Sequence, residues 1–140
     1  LRVASVQPVD IKAPIGGCGF WSLIASIRKR PGERKNAVAA LLSVAEVKHV
    51  IVTDDDINIH DPDDLDWAIA FRVQAERDAI ILEGARAKHI DTSVMSWTLG
   101  KGGLPTTAKL GIDATIPEGV PPILYRRIKN YGRDKFKLER

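Results

Sequence analysis

The feature that most constrains this chain is its regular alternation of two hydrophobic periods. Phe20–Arg28 is an apolar, β-leaning run and is predicted to be a strand. Pro31-Gly32 then breaks it. In Glu33–Glu46, Val38, Leu41, Leu42 and Ala45 fall at i, i+3, i+4 and i+7, one stripe of an amphipathic helix. Val47–Thr53 is a short branched apolar run followed by acids, as expected of a buried strand. Asp61-Pro62-Asp63-Asp64 is a strong helix start: Asp61 can cap, Pro62 suits the first position, and acids favour the first turn. The helix carries Leu65, Ala68, Ile69 and Val73 on one face, with Trp67 and Phe71 beside them. Asp78–Leu82 is a further apolar run closed by Glu83-Gly84, and Lys109–Ala114 reads as one more strand.

Strands alternating with helices imply parallel pairing through crossovers. The expected fold is α/β, a three-layer sandwich with a mainly parallel sheet flanked by helices. Lys48–Val52 and Ala79–Leu82 are expected near the sheet centre. Arg2–Val6 reads as a short strand, Pro8–Gly19 as loop, Ala85–Thr107 as an irregular stretch, and Pro122–Tyr131 as a last helix ended by Gly132. Residues 1–140 are expected to form a single domain, with 118–140 a C-terminal helix and basic tail.

Composition excludes several classes. With 44% hydrophobic and 28% charged residues, the 140-residue chain has the balance of a globular protein. Its longest unbroken apolar run is Ala37–Leu42, far short of the ~20 residues of a membrane span. A single cysteine, Cys18, allows no internal disulfide, and no signal-like segment opens the chain, so a cytoplasmic setting is expected. The first residue is Leu1, so a processed or trimmed parent is expected. The net charge of +3 is uneven: residues 126–140 hold seven bases and two acids (7 − 2 = +5), leaving −2 for the rest. With no regularly spaced stacking aromatics, this tail reads as solvated terminus, not as a nucleic-acid surface.

Local chemistry is incomplete. Asp54, Asp55, Asp56, Asp61, Asp63, Asp64 and Asp66 crowd into one short stretch. Such oxygens suit a hard divalent cation, and Asp54, Asp56 and Asn58 match the first ligands of an EF-hand loop. Ile59 then stands where glycine is needed and Leu65 where the bidentate glutamate belongs. Two readings stay open: a magnesium site, as in a phosphotransfer or receiver-like domain, or acids that cap the helix and shape the turn. Gly16-Gly17-Cys18-Gly19 and Gly100-Lys101-Gly102 lack the spacing of phosphate-binding motifs. His49, His60 and His89 fit no zinc spacing, and Cys18 has no motif partner.

Four blocks together carry a resemblance. They are Gly16-Gly17 with Phe20 and Ser26–Lys29, Val47–Val52 with Asp54–Ile57, Asp61–Asp64 leading to Trp67-Ala68 and Arg72–Ala75 with Asp78, and Thr107–Thr115. In order and spacing they resemble the C-terminal domain of the UbiD-like decarboxylases, over about residues 2–117. That family reversibly removes carboxylate from aromatic or α,β-unsaturated acids. The resemblance implies prenylated FMN, with manganese and potassium at its phosphate, all held with the catalytic residues by an N-terminal flavin-binding part of the same enzyme or a separate subunit.

For this chain the resemblance implies no catalytic, cofactor-binding or metal residue of its own. It implies instead a domain that closes over the cleft and builds a homo-oligomer interface, probing the substrate with the loops Ile15–Phe20 and Glu83–Asp91. The expected pocket residues are Gly19, Phe20, Leu82, Arg86, Lys88 and His89. Some phenolic-acid members carry lysine where Gly19 stands and histidine where Lys88 stands, so a phenol-binding role departs from the pattern. Activity of the chain alone is not expected. A non-catalytic scaffold module is the competing reading.

Overall fold

The computed structural model describes residues 6–94 and 105–127. In chain order the elements are β1 (Gln7–Lys12), β2 (Ser22–Arg28), α1 (Glu33–Leu42), β3 (His49–Asp54), α2 (Pro62–Arg72), α3 (Ala75–Asp78), β4 (Ala79–Arg86) and β5 (Thr106–Ala114). The five strands form one sheet in the order β1-β2-β3-β5-β4. β2, β3 and β5 run parallel, while β1 and β4 lie antiparallel at the two edges. The fold is α/β as expected, with the parallel character confined to the three inner strands.

The three layers follow from the two faces of β3. Val50 and Val52 point to one side and join Ala25 and Ile27 of β2 and Ala37, Val38, Leu41 and Leu42 of α1. Ile51 points to the other and meets Ile57, Ala114, and Trp67, Ala68 and Ile69 of α2. Each fully buried Val, Leu or Ile stabilises the fold by roughly 1.5–3 kcal/mol relative to exposure. Removing either helix would therefore strip one face of the sheet.

Ala79–Leu82 does not lie at the sheet centre. The cause is α2, which carries the chain back to the end of the sheet it has just left. Asp64 in its first turn accepts a hydrogen bond from the Asn58 amide at 2.6 Å, and Arg72 in its last turn holds Asp56. Both ends of α2 are thus tied to the segment leaving β3. The chain enters β4 at Ala79, level with Ile112 of β5 and Ile51 of β3, and runs antiparallel at the edge. β5 then takes the central place beside β3.

Other differences have local causes. Residues 7–12 form an edge strand instead of loop, because an edge tolerates Pro8 and needs no apolar alternation on its exposed side. Gly84, with φ +67°, does not end β4. It lies at a break in register between Leu82 and Ala85, and the strand runs on to Arg86. Of the expected last helix, Pro122–Tyr125 is a single 3-10 turn. Residues 128–140, most of the expected Arg2–Val6 strand and the Gly100–Gly102 stretch lie outside the described residues.

The α1-facing side of β5 reads Lys109, Gly111, Asp113, and each residue fixes the helix differently. The Lys109 ammonium donates to the carbonyls of Leu42 (2.9 Å) and Val44 (2.6 Å), satisfying groups that the end of α1 leaves unpaired. Burial pushes its pKa down. Asp113 pairs with Arg34 at 3.0 Å. Gly111 lets the backbones approach: a β-carbon there would stand 2.2 Å from Val38 Cγ1 and 3.0 Å from Leu42 Cδ1. We expect Gly111→Ala to destabilise the chain by about 1–3 kcal/mol in urea unfolding. The loss should shrink when combined with Val38→Ala. Strictly additive effects would contradict this packing.

Candidate functional site

Two ends of the sheet compete as sites. At the C-terminal ends of β2, β3 and β5 lies the acidic run. Asp54 is 8% exposed. Its carboxylate is 2.7 Å from Lys29 Nζ, accepts the Ile116 amide at 2.6 Å, and lies 3.6 Å from Arg72. Asp55 pairs with Arg28 at 3.0 Å, and Asp56 takes both terminal nitrogens of Arg72 at 3.1 and 2.6 Å. Asp61 caps α2 by accepting from the Asp63 amide at 3.0 Å, as its sequence position predicts. Asp64 pairs with Arg127. Among the described residues, no three His, Cys, Asp or Glu side chains converge as a metal site. The carboxylates are engaged by cations of their own chain, which favours the turn-shaping reading of the run over the magnesium reading.

Arg72 is the hub of this end. Its side chain is fully buried, its guanidinium lies 5.2 Å from the Trp67 ring centroid and 5.9 Å from that of Tyr125, and Arg127 lies over Trp67 at 4.8 Å. A cavity of about 580 Å³ remains beside it, bounded by Trp67, Ile116, Tyr125 and Arg126. A second buried network joins α1, α3 and β5: Arg34 reaches both Asp78 and Asp113, and Arg77 grips Asp78 at 2.6 Å. Burial alone would push the Asp78 carboxyl up. Hydrogen bonds from Arg77 and the Gln74 amide, together with the charge of Arg34, outweigh it and hold the group below the usual carboxylate range.

The opposite end brings together most of the residues expected to face substrate. One 3-10 turn, Ile15–Gly17, is followed by two left-handed residues, Cys18 (φ 55°) and Gly19 (φ +72°), which reverse the chain into β2. Phe20 follows, edge-on to Trp21 at 5.5 Å. Lys88 places its ammonium 4.6 Å from the Phe20 ring centroid, so the glycine loop and the loop after β4 meet. A cleft of about 430 Å³ opens on the other side of this contact, walled by Glu46, Arg86, Lys88, His89 and Ile90, with Gly19 and Phe20 outside its lining. Leu82 is not in it: it stands in mid-strand opposite Lys109 and half exposed. Ile15 projects from the loop tip at 94% exposure.

Sequence reasoning missed what fixes this cleft. Lys48 reaches Asp91 at 2.9 Å and Ser93 at 2.6 Å, tying the loop after β4 to the start of β3. For Asp91, burial acts upward, but Lys48 and Ser93 outweigh it and hold the carboxyl below its ordinary range. A lysine inside an otherwise apolar strand run was the available signal. The glycine loop offers no ready phosphate cradle. The Gly17 and Gly19 amides both donate to the Pro14 carbonyl, at 3.0 and 3.2 Å, and the Cys18 amide to Ile15 at 2.8 Å. The loop therefore does not fit the flavin phosphate.

Comparison with known proteins now decides the family. The model of the 3-octaprenyl-4-hydroxybenzoate carboxy-lyase C-terminal domain matches residues 1–114. The chain belongs to this family. It is 46% identical over 103 residues to an anhydromevalonate phosphate decarboxylase of Methanocaldococcus jannaschii, covering 72% of this chain and 23% of the relative. The corresponding enzyme of Methanothermobacter thermautotrophicus is 40% identical over 104 residues, covering 73% and 23%. Among solved structures, the UbiD-class enzyme HmfF of Pelotomaculum thermopropionicum, in complex with FMN, superposes with a TM-score of 0.75 at 40% identity, over 94% of this chain and 28% of that one. An evolved dimeric form of HmfF, in complex with prenylated FMN, gives 0.63 at 35% identity over 94% and 25%. The chain thus spans about a quarter of the length of these relatives, of which the two archaeal enzymes are decarboxylases.

Two outcomes test the charge networks. Asp78 and Asp91 have depressed pKa values in the fold, so they stabilise it above their unfolded pKa of about 3.9 and lose that contribution as pH falls through the folded values. We expect denaturant midpoints to be level from neutral pH to about pH 4 and to drop below it, with Asp78→Asn less stable at pH 7 and shallower in its acid loss. Midpoints that rise on acidification would contradict the assignment. Arg72→Ala should cost about 1.5–3 kcal/mol, measured by urea unfolding, because it takes the cation from Asp56 and leaves Asp54 with Lys29 alone.

Proposed function

We propose that this chain is the C-terminal domain of a prenylated-FMN-dependent carboxy-lyase, acting as the cover over a cleft whose floor is supplied by the remainder of the enzyme. The observation that carries this reading is the meeting of Phe20 and Lys88 beside an open cleft, with Ile15 exposed at the loop tip. An apolar side chain that exposed suits insertion against another surface. The glycine loop and the loop after β4 are both pinned by the sheet, so they can close as one body. Bound flavin would supply the electron sink for decarboxylation. The reading assigns it, with manganese and potassium, to the flavin-binding part, and assigns this chain the tasks of orienting the acid and excluding water.

The substrate we favour is an unsaturated acid of the kind the curated relatives act on, anhydromevalonate phosphate, over a phenolic acid. Gly19 brings no cationic side chain to the loop, which weighs against a phenol site. Gly19, Phe20, Arg86, Lys88 and His89 are the proposed pocket residues, with Leu82 outside the cleft. Oligomerisation is part of the proposal, supported by the half-exposed Val9 and Ile11 on β1 and Ile81 and Leu82 on β4, both of them edge strands. No helix among the described residues is long and apolar enough to cross a membrane. A cytoplasmic setting is proposed from the single thiol, Cys18.

The test is reconstitution. The purified chain supplied with prenylated FMN should release no CO₂ from anhydromevalonate phosphate, and the flavin-binding part should work only when this chain is joined to it or added. Turnover by the chain alone, or no turnover by the joined enzyme on any unsaturated or aromatic acid, would refute the reading.

A further inference from the structure

Most cations among the described residues have an internal partner. Arg28, Arg34, Arg72, Arg77 and Arg127 each hold a carboxylate, as do Lys29 and Lys48, while Lys109 is spent on carbonyls. Among the described residues, Arg30, Arg86 and Arg126 are the arginines whose side chains find no carboxylate. Only Arg86 of these stands in the cleft proposed to face substrate, and His89, also without a partner, stands beside it. Lys88 completes the wall. It rests on Phe20 and lies 3.8 Å from Glu46, a loose contact that leaves ammonium protons free. The neighbouring acid, Asp91, is already committed to Lys48 and Ser93.

The backbone beneath these bases is fixed. Arg86 is the last residue of β4, in register with Thr106, and the Ala87 amide donates to the Pro105 carbonyl at 2.8 Å. The Asp91 amide then donates to the Lys88 carbonyl at 3.0 Å, closing a turn. Three bases on a pinned turn, with one carboxylate opposite, form a basic wall on a rigid element. A guanidinium in that setting favours a planar or tetrahedral oxyanion, which it can hold through two parallel N–H donors.

We propose that Arg86, with Lys88 and His89, grips a second oxyanion of the substrate, a phosphate monoester or a carboxylate distinct from the carboxyl group that leaves as CO₂. This makes Arg86 a specificity-determining residue, and it rests on the reading of the chain as the cover of a decarboxylase.

The test needs no turnover. The chain is titrated with inorganic phosphate and, separately, with acetate at constant ionic strength, and the Arg86 Nε–H, Lys88, His89 and Phe20 resonances are followed by NMR. The expected result is one saturable curve shared by these four residues. Arg86→Ala, an exposed position, should weaken binding about tenfold, while Arg30→Ala, an equally unpartnered arginine, should leave it unchanged. Phosphate binding more tightly than acetate assigns a phosphate monoester; the reverse assigns a carboxylate. No saturation with either ion in the millimolar range, or equal effects of Arg86→Ala and Arg30→Ala, would overturn the proposal. Binding without reconstituted turnover defeats the decarboxylase reading and keeps the oxyanion site. Turnover without binding does the opposite.

Discussion

The Asp54 carboxylate, at the end of the central strand β3, is the point on which the rest of the architecture turns. It accepts from Lys29 on the chain leaving β2 and from the Ile116 amide just beyond β5, and it lies beside Arg72 at the end of α2. One nearly buried group therefore ties together the exits of all three parallel strands and the second helix layer. Charges removed from water this far are stabilising only when fully matched. Arg72, shared between Asp54 and Asp56, completes the match and holds α2 against the end of the sheet. That placement sends β4 downward as an edge strand. It thereby delivers Arg86, Lys88 and His89 to the far end, where Lys88 reaches Phe20.

The consequence is a division between the two ends of the sheet. In open α/β sheets, ligands usually gather at the carboxyl ends of the parallel strands. Here the carboxylates at that end are engaged in ion pairs, and the segment carrying Ile116, Tyr125 and Arg127 crosses it beside the cavity at Trp67. The amino ends of β2 and β3 instead border a cleft with unpartnered bases and an exposed apolar loop tip. The proposed role as a cover gives this inversion a reason: the carboxyl strand ends would serve rigidity, and the opposite rim would meet the partner.

Much of this was legible from residues. The stripe Val38, Leu41, Leu42 does pack on Val50 and Val52, and the Asp61-Pro62 start does cap α2. The resemblance to UbiD-like decarboxylases singled out the loops Ile15–Phe20 and Glu83–Asp91, but not the contact of Lys88 with Phe20. The antiparallel sense of β4 was not legible, because it depends on Arg72 reaching back to Asp56, a contact that hydrophobic periodicity does not encode. β1 escaped notice because edge strands need no buried face. Lys48, Lys109 and Arg72 are charged residues set in otherwise apolar stretches. In the fold each is a tie between elements, and their presence in otherwise buried stretches was the signal.

In the proposed assembly the rim formed by residues 14–20 and 86–91 faces the rest of the enzyme, while the Asp54 end is internal scaffolding. Amide hydrogen exchange of the chain, alone and with the flavin-binding part, measures this directly. Added protection concentrated in residues 14–20 and 86–91, with 54–56 and 116–127 unchanged, is the predicted result. Protection centred on 54–56 and 116–127, with the glycine loop untouched, would contradict it.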